Sequence, residues 1–401
     1  MARSLVWLLA LVLALNYVDR SSLATAAPLI QQEFHLSSSE LGWLLSAFFW
    51  VYTPAQVLGG WLVHRFPVRS VLGLGVLLWG AATALMGFAG GFFTLFLLRL
   101  LLALGECVTF PSIQLIVSRN ALAAERGQVS SLISSGQGLG PLLGTLFGGL
   151  AMAAFGWRAM FIGLGLLTIL WIWPWYAFSR QHLSAGHSHQ SLAPISFLCI
   201  LQCRAFWGLA LGMFAGNYAF YFLFIWLPSY LVKAGGFSLT EMSGIVAAIY
   251  GIYALFVLLT GRVADRQIAR GSSPTRVWKT VAAIGNLGVL LAIGACAIVN
   301  PRLAVWLLAA AGLSFGLLTP TLYSLTAIVP GPRAAGRWSG AQAVAGQLAG
   351  VVSSILTGLL IDRTGNYQAA FLVAGFAALV SLFCWCVILP KVETINWDPA
   401  S

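Results

Sequence analysis

Four charged residues lie inside apolar stretches of this sequence, where a charge is costly. Asp19 and Arg20 are adjacent in the first stretch, and Arg99 and Glu106 lie seven residues apart in the fourth. Seven residues make about two helical turns, so Arg99 and Glu106 share one helix face. Each charge costs about 2.5–3.5 kcal/mol at membrane depth. The pattern favours a buried site that uses the charges, and the alternative is an ion pair that only locks two helices together.

These four charges sum to zero, which suggests a specific chemistry. An anion that enters the site makes the local sum negative, and a proton on Asp19 or Glu106 restores neutrality. Arginine stays charged and its planar fork fits a carboxylate. We therefore expect an anion at Arg20 to weaken the hold of Arg20 on Asp19 and to favour proton uptake there.

Other polar side chains inside apolar segments could contact a hydroxyl or carboxylate group. The stronger candidates are Tyr52, Asn217, Tyr218 and Tyr221; the weaker ones are Tyr323, Ser324, Gln342 and Gln347. Packing or membrane-interface roles are the alternative for each, because aromatic residues in membrane helices often serve there.

Enzymatic and metal-binding functions find little support in the sequence. Cys199 and Cys203, and Cys384 and Cys386, form close pairs, but neither pair has a second ligand set nearby. His182, His187 and His189 share one polar loop, which predicts a solvated segment rather than a metal site. The sequence contains no Gly-Lys-Ser/Thr phosphate-binding loop and no clustered nucleophile set. We expect neither catalysis nor a cofactor.

Composition indicates a protein that crosses a membrane many times. Of the 401 residues, 60% are hydrophobic and only 8% are charged, whereas soluble domains are about 45–50% apolar. The formal net charge of +11 predicts loops that face an anionic lipid leaflet rather than a nucleic acid partner. The apolar segment 5–17 resembles a signal peptide, but Asp19 and Arg20 follow it without a cleavage site, so we interpret it as a retained helix.

The apolar runs predict an all-α protein of twelve transmembrane helices, each near the 20 residues that a span requires. They are expected at 4–29, 39–63, 70–88, 92–117, 127–151, 158–178, 205–232, 240–263, 278–299, 303–328, 337–360 and 368–390. With the N-terminus inside, most Lys and Arg residues fall on the inner side, and only Arg158, Lys233, Arg302 and Arg363 fall outside. This bias predicts that both termini are cytoplasmic.

The sequence predicts two pseudo-symmetric bundles of six helices. The long polar segment 179–204 separates a bundle over 1–178 from a bundle over 205–401, which ends in a short cytoplasmic tail. The stretch from Gly60 to Arg65 follows the second helix, and a similar stretch from Gly261 to Arg266 follows the eighth. Duplicated halves around a central pathway are typical of secondary transporters.

The stretch after the second helix resembles the signature loop of the major facilitator superfamily, Gly-x-x-x-Asp-Arg-x-Gly-x-Arg. Here it contains Gly60, His64, Arg65 and Arg69, with His64 in place of the Asp and Pro67 in place of the second Gly. The C-terminal copy keeps Asp265 and Arg266. The resemblance implies that these residues take part in conformational change, and that the N-terminal latch lacks its acidic member.

Four further motifs together resemble the anion:cation symporter family of that superfamily, which includes galactonate and hexuronate importers, vesicular glutamate transporters and sialin. They lie at 16–23, 45–52, 99–106 and 217–231. The resemblance implies that Arg20 binds the anion, that Asp19 and Glu106 handle protons, and that Arg99 sets the state of Glu106. It also implies a substrate contact for Gln137, which could instead be a packing residue. Ala343 departs from the Asn common in the family.

A rival function comes from a second signature. The run Gly136-x-x-x-Gly140-Pro141-x-x-Gly144 resembles one found in proton-driven efflux antiporters, and tight helix packing would explain it equally well. We predict proton-coupled import of a small organic anion, such as a sugar acid or another carboxylate, by alternating access. The expected partners are the anion, protons and the lipid bilayer of the cytoplasmic membrane, with no nucleic acid, and the transporter is expected to act as a monomer.

Overall fold

A computed structural model describes residues 1–121, 125–179, 195–389 and 391–397 of the chain. Long helices dominate it, and within these residues eleven helical tracts are long and apolar enough to cross a membrane. The helices are α1 (Arg3–Glu33), α2 (Ser38–Arg65), α3 (Val68–Met86), α4 (Phe92–Glu106), α5 (Thr109–Asn120), α6 (Arg126–Leu170), α7 (Ile172–Phe178), α8 (Phe197–Leu201), α9 (Arg204–Lys233), α10 (Leu239–Ala269), α11 (Pro274–Ala295), α12 (Pro301–Ile328), α13 (Gly331–Thr364) and α14 (Gln368–Phe383). A short π-helical segment, Cys384–Ile388, follows α14. The predicted all-α membrane fold is confirmed.

The difference between twelve predicted spans and eleven observed tracts arises at Gly156. This residue has φ 81° and ψ 162° inside α6, so the helix is broken there. The tract Val129–Phe178 contains 50 residues and would be about 75 Å long as a helix, more than twice the thickness of a bilayer core. We therefore count it as two crossings that meet at Gly156, between the predicted fifth and sixth helices.

Equivalent helices of the two halves begin with the same capping motif. Ser37 precedes α2, where its Oγ accepts from the backbone N–H of Glu40 while the Glu40 carboxylate accepts from the Ser37 N–H. Ser238 and Glu241 repeat both bonds before α10. Each such cap contributes about 1 kcal/mol to helix stability. The repeated start adds to the duplicated stretches Gly60–Arg65 and Gly261–Arg266.

Several helix ends differ from the predicted ones. α2 continues to Arg65 and α10 to Ala269, so Gly60, His64, Asp265 and Arg266 lie in the last helical turns rather than in the loops we predicted. Basic side chains favour a helix C-terminus, and α2 ends at the extended Phe66 because Pro67 disfavours helix before it.

The predicted polar linker 179–204 is partly helical. Its apolar portion forms the short helix α8, which the composition of the whole segment concealed. The predicted loop histidines His182, His187 and His189 lie outside the described residues, as does most of the linker. The start of α13 at Gly331 and of α11 at Pro274 also precede the predictions, because proline suits a first helical turn.

Contacts divide the described chain into two compact units, Met1–Ser188 with Leu227–Ala247 and His189–Trp226 with Ala248–Ser401. In the first unit α1 packs on α6, and α3 packs on α6 and α4. In the second unit α11 packs between α12 and α14. The predicted bundle boundaries at 178 and 205 stay a prediction.

Candidate functional site

Close packing of α6 on α1 positions the first part of the site. A Cβ atom on Gly136 would lie 2.6 Å from the Ala10 carbonyl oxygen, and one on Gly140 would lie 2.6 Å from the Tyr17 Cβ. A Cβ on Gly144 would meet the Ser21 hydroxyl at the same distance. Only glycine permits this approach. Helix packing therefore accounts for the glycine run that resembles an efflux signature.

Arg20 and Glu106 form an ion pair inside the first unit. The Arg20 Nε donates to the Glu106 Oε2 at 2.9 Å, which joins α1 to α4. The Glu106 side chain is fully buried, whereas 18% of the Arg20 side chain is exposed. Our expectation that Arg20 holds Asp19 is wrong: within the described residues, the ion-pair partner of Arg20 is Glu106.

Asp19 is held by a residue of α3 instead. The Thr83 hydroxyl donates to the Asp19 Oδ1 at 2.9 Å, and both side chains are fully buried. The Asp19 Oδ2 is buried without a hydrogen-bond partner among the described residues. One oxygen of this carboxyl group is therefore available to a proton or a further donor.

Aromatic rings surround the guanidinium of Arg20. Its central carbon lies 4.9 Å from the ring centre of Tyr17, 4.6 Å from that of Phe48 and 4.4 Å from that of Tyr52. Such contacts stabilise a cation by about 0.5–2 kcal/mol each, most where water is excluded. The Arg20 Nη2 has no hydrogen-bond partner among the described residues, so part of the guanidinium fork is unused.

Arg99 and Gln137 complete the cluster. Arg99 is 3% exposed, interacts electrostatically with Glu106 and Asp19, and lies 5.6 Å from the Phe48 ring centre. The Gln137 Nε2 donates to the Tyr17 hydroxyl at 2.9 Å, which links α6 to the aromatic group around Arg20. The structure thus brings together the four charges, Gln137 and Tyr52, as the sequence predicts.

Five residues of this cluster were not predicted as site residues. They are Tyr17, Phe48 and Thr83, described above, together with Asn16, which interacts with Glu106, and Trp79, which interacts with Asp19. Asn16 and Tyr17 lie one helical turn or less from Arg20 and within a motif already noted, so their position was a usable signal. Phe48 lies in the noted motif 45–52, about one helical turn from the predicted Tyr52. Thr83 and Trp79 are uncharged residues of α3 outside the noted motifs, and only helix packing brings them to the charges. The apolar hollow of about 700 Å³ that Leu77, Trp173 and Tyr176 help to line contains none of the cluster residues.

The candidates in the second unit connect α9 with α13. The Asn217 Nδ2 donates to the Gly346 carbonyl at 3.4 Å, and the Tyr221 hydroxyl donates to the Gln347 Oε1 at 3.3 Å. Gln342 is 1% exposed, and its Oε1 accepts from the Trp338 Nε1 at 3.0 Å. That bond favours a packing role for Gln342.

The other candidates of this unit differ in exposure. Tyr218 is buried, Ser324 is half-buried and Tyr323 is 63% exposed. Substrate contact by any residue of the second unit stays a prediction.

The residues with a predicted conformational role occupy different environments. Arg69 donates through Nη2 to the Tyr176 carbonyl at 2.6 Å and through Nε to the Ser179 hydroxyl at 2.9 Å, so it binds the C-terminal end of α7. His64, Arg65, Asp265 and Arg266 are exposed, and a Cβ on Gly60 would meet no atom within 4 Å. Their part in conformational change stays a prediction.

The helical fold and the buried charged cluster define a class of membrane transporter. The family model described as Major Facilitator Superfamily matches residues 9–354. The chain therefore belongs to the major facilitator superfamily, whose activity is transport rather than catalysis.

Several curated proteins resemble this chain over most of its length. A probable chloroplastic anion transporter of Oryza sativa is 31% identical over 92% of this chain and 65% of its own length, so the chain spans about two thirds of that relative. A probable sulfoacetate transporter of Cupriavidus necator is 31% identical over 92% of this chain and 90% of its own. A hexuronate transporter of Bacillus subtilis is 27% identical over 96% and 93%. The relatives are those of an anion:cation symporter-like family.

A solved structure supports the fold independently of sequence. The crystal structure of a D-xylose–proton symporter superposes with a TM-score of 0.77 at 14% sequence identity, covering 98% of this chain and 99% of the other. At this identity the likeness shows the fold alone.

Proposed function

We propose that this transporter imports a small organic anion, a sugar acid or another carboxylate, together with protons. The observation that carries the proposal is the placement of Arg20. Its guanidinium is held among three aromatic rings and bound through Nε to Glu106, and its Nη2 has no hydrogen-bond partner in the described part of the chain. A carboxylate is the ligand that matches this unused side of the fork.

The ion pair provides a route to coupling. A carboxylate that binds Arg20 competes with Glu106 for the same guanidinium. Glu106 is fully buried, and a buried charge that loses its partner costs about 3–5 kcal/mol. A proton on Glu106 removes this cost, so anion entry and proton uptake favour each other. When Glu106 loses its proton, its carboxylate again competes for Arg20, so the anion and the proton are released together.

The relatives support an anionic substrate. Those described above are named for an anion, sulfoacetate and hexuronate. Sulfoacetate and hexuronates are small and carry at least one negative charge. We infer a cytoplasmic-membrane protein with both termini inside, acting as a monomer by alternating access.

Transport into proteoliposomes tests this function. The purified protein would be reconstituted with an imposed pH gradient, inside alkaline, and offered labelled glucuronate, galactonate and sulfoacetate. Gradient-driven accumulation that a protonophore abolishes is the expected result. Protein-free vesicles and the neutral sugar glucose serve as controls. A folded sample that accumulates no acid under any gradient would contradict the proposal.

Efflux of lipophilic or cationic compounds is the rival within the same superfamily. It is tested in parallel by a thermal-shift screen, since a ligand that binds the folded state raises the melting temperature. Stabilisation by carboxylates and not by lipophilic cations favours anion import, and the reverse result favours efflux.

A further inference from the structure

One aromatic ring lies between the two buried arginines. The ring centre of Phe48 is 4.6 Å from the Arg20 guanidinium and 5.6 Å from that of Arg99. The ring is only 2% exposed and stacks on Tyr52, with centres 4.7 Å apart and planes 26° apart. Phe48 therefore has little freedom to move away from either cation.

The contact matters most for Arg99, because this guanidinium has few other partners. Its Nε and Nη1 are buried without a hydrogen-bond partner, and within the described residues it forms no ion pair at 4.0 Å or less. It nevertheless interacts electrostatically with Asp19 and Glu106. Among the described residues, the Asp19 Oδ2 and the Glu106 Oε1 are also buried without a hydrogen-bond partner. Donors of Arg99 and acceptors of both carboxyl groups are thus buried without hydrogen bonds among the described residues.

A buried cation that is not paired with the buried carboxyl groups of its own cluster is unfavourable, so its position needs another interaction that stabilises it there. The negative face of an aromatic ring attracts a guanidinium, and the attraction strengthens where water is excluded. Phe48 is the aromatic residue that contacts both guanidiniums in the described cluster. We propose that Phe48 is a positioning residue: its ring holds Arg20 and Arg99 in place and keeps Arg99 from pairing with Asp19 and Glu106.

This placement has a consequence that rests on the proposed function. If Arg99 could pair with Glu106 as soon as Arg20 turned to the substrate, the carboxylate would gain a new counter-ion and would need no proton. While the Phe48 ring retains Arg99, only a proton can neutralise the buried Glu106 carboxylate. The ring would therefore enforce coupling between the anion and the proton without touching either one.

Isosteric replacement of the ring tests the physical claim without depending on transport. Phenylalanine analogues with one, two and three ring fluorines, introduced at position 48 by genetic encoding, keep the shape but weaken the negative face. We expect the melting temperature of the purified protein to fall stepwise, by roughly 2–4 °C for the trifluorinated ring. The fall should shrink in Arg99→Met and Arg20→Gln backgrounds, which remove one cation each.

Phe222 provides the matched control. It is also 2% exposed, and it packs edge-on against Phe371 at 5.2 Å, with no guanidinium over its ring among the described residues. Fluorination there should give no stepwise fall that depends on Arg99. The proposal would be overturned if the melting temperature did not change with the number of fluorines at position 48. It would also be overturned if the change were the same after removal of each arginine. The first result can be obtained even if no arginine variant folds.

The functional consequence is measured on the same variants. With trifluorinated Phe48, anion exchange should persist while proton-driven accumulation falls about twofold to tenfold relative to exchange. An unchanged ratio, with the stepwise melting series present, would overturn the coupling role of the ring. If the unmodified protein transports no acid, the proposed function fails, and the melting series alone decides whether Phe48 holds the arginines.

Discussion

The Arg20 Nε lies 2.9 Å from the Glu106 Oε2, which pairs residues 86 positions apart in the chain. The pair connects α1 with α4. Asp19, which is adjacent to Arg20, instead accepts a hydrogen bond from the hydroxyl of Thr83 in α3. The two carboxyl groups therefore have different partners, an arginine for Glu106 and a threonine for Asp19. A substrate anion at Arg20 would disturb Glu106 first. The predictions below separate these roles.

Arg20 should be required for anion binding. Arg20→Ala removes the fork, and Arg20→Lys keeps the charge but offers no planar pair of donors. We expect Ala to abolish the carboxylate-induced rise in melting temperature and Lys to weaken affinity by at least about tenfold. The exposed Arg262→Ala is the control. Unchanged affinity in Arg20→Ala would remove Arg20 from the site.

Glu106 should be required for coupling rather than for binding. Glu106→Gln keeps the shape but cannot take up and release a proton, so anion exchange should persist while proton-driven accumulation fails. The two are measured in the same proteoliposomes, with labelled anion on both sides for exchange and an imposed pH gradient for accumulation. Accumulation at the level of the unchanged protein would assign coupling to another residue.

Thr83 should stabilise the folded protein through Asp19. Thr83→Val removes the hydroxyl at nearly constant volume and leaves a buried carboxyl oxygen without its donor, at a cost of about 1–3 kcal/mol. We expect a lower melting temperature than for Thr94→Val, which changes an exposed threonine of α4. Equal melting temperatures for the two variants would show that the hydrogen bond contributes nothing measurable.

Gly136 should be needed for the contact between α6 and α1. A Cβ at this position would lie 2.6 Å from the Ala10 carbonyl, whereas one at Gly148 of the same helix meets no atom within 4 Å. Gly136→Ala should cost about 1–3 kcal/mol, and Gly148→Ala should be neutral or slightly stabilising. Thermal unfolding compares the pair, and a stable Gly136→Ala would mean that the helices separate without penalty.

Trp397 should hold the turn between α12 and α13. Its indole N–H donates to the Pro330 carbonyl at 2.8 Å and its ring packs edge-on against Trp338 at 6.3 Å. Trp397→Ala should speed amide hydrogen exchange at 328–331, because the neighbouring Ile395 N–H bond to Val329 would also loosen. The exposed Glu393→Ala should leave exchange unchanged. Identical exchange in both variants would argue against a bracing role.

Much of the architecture follows from the chain itself. Apolar runs predict membrane helices because a backbone in hydrocarbon must satisfy its own polar groups. The long tract across Gly156 and the short helix α8 were harder to predict from the sequence. The first depends on a single φ angle and the second on a few apolar residues in a polar segment, and neither changes the composition much.

The charged residues of the site were the easiest to predict from the sequence. Asp19, Arg20, Arg99 and Glu106 were found because an ion in an apolar segment is costly enough to need a reason. Phe48 and Thr83 were not, because their types are ordinary in a membrane helix. Their importance comes from the cations and the carboxylate that packing places beside them.

The sequence by itself determined that this protein is a bundle of membrane helices with four charges inside it, since hydrophobicity and charge act locally along the chain. Only the tertiary structure decided which charge pairs with which. Pairing depends on distances of a few ångströms between α1, α2, α3 and α4, and such distances are set by side-chain packing between residues far apart in sequence.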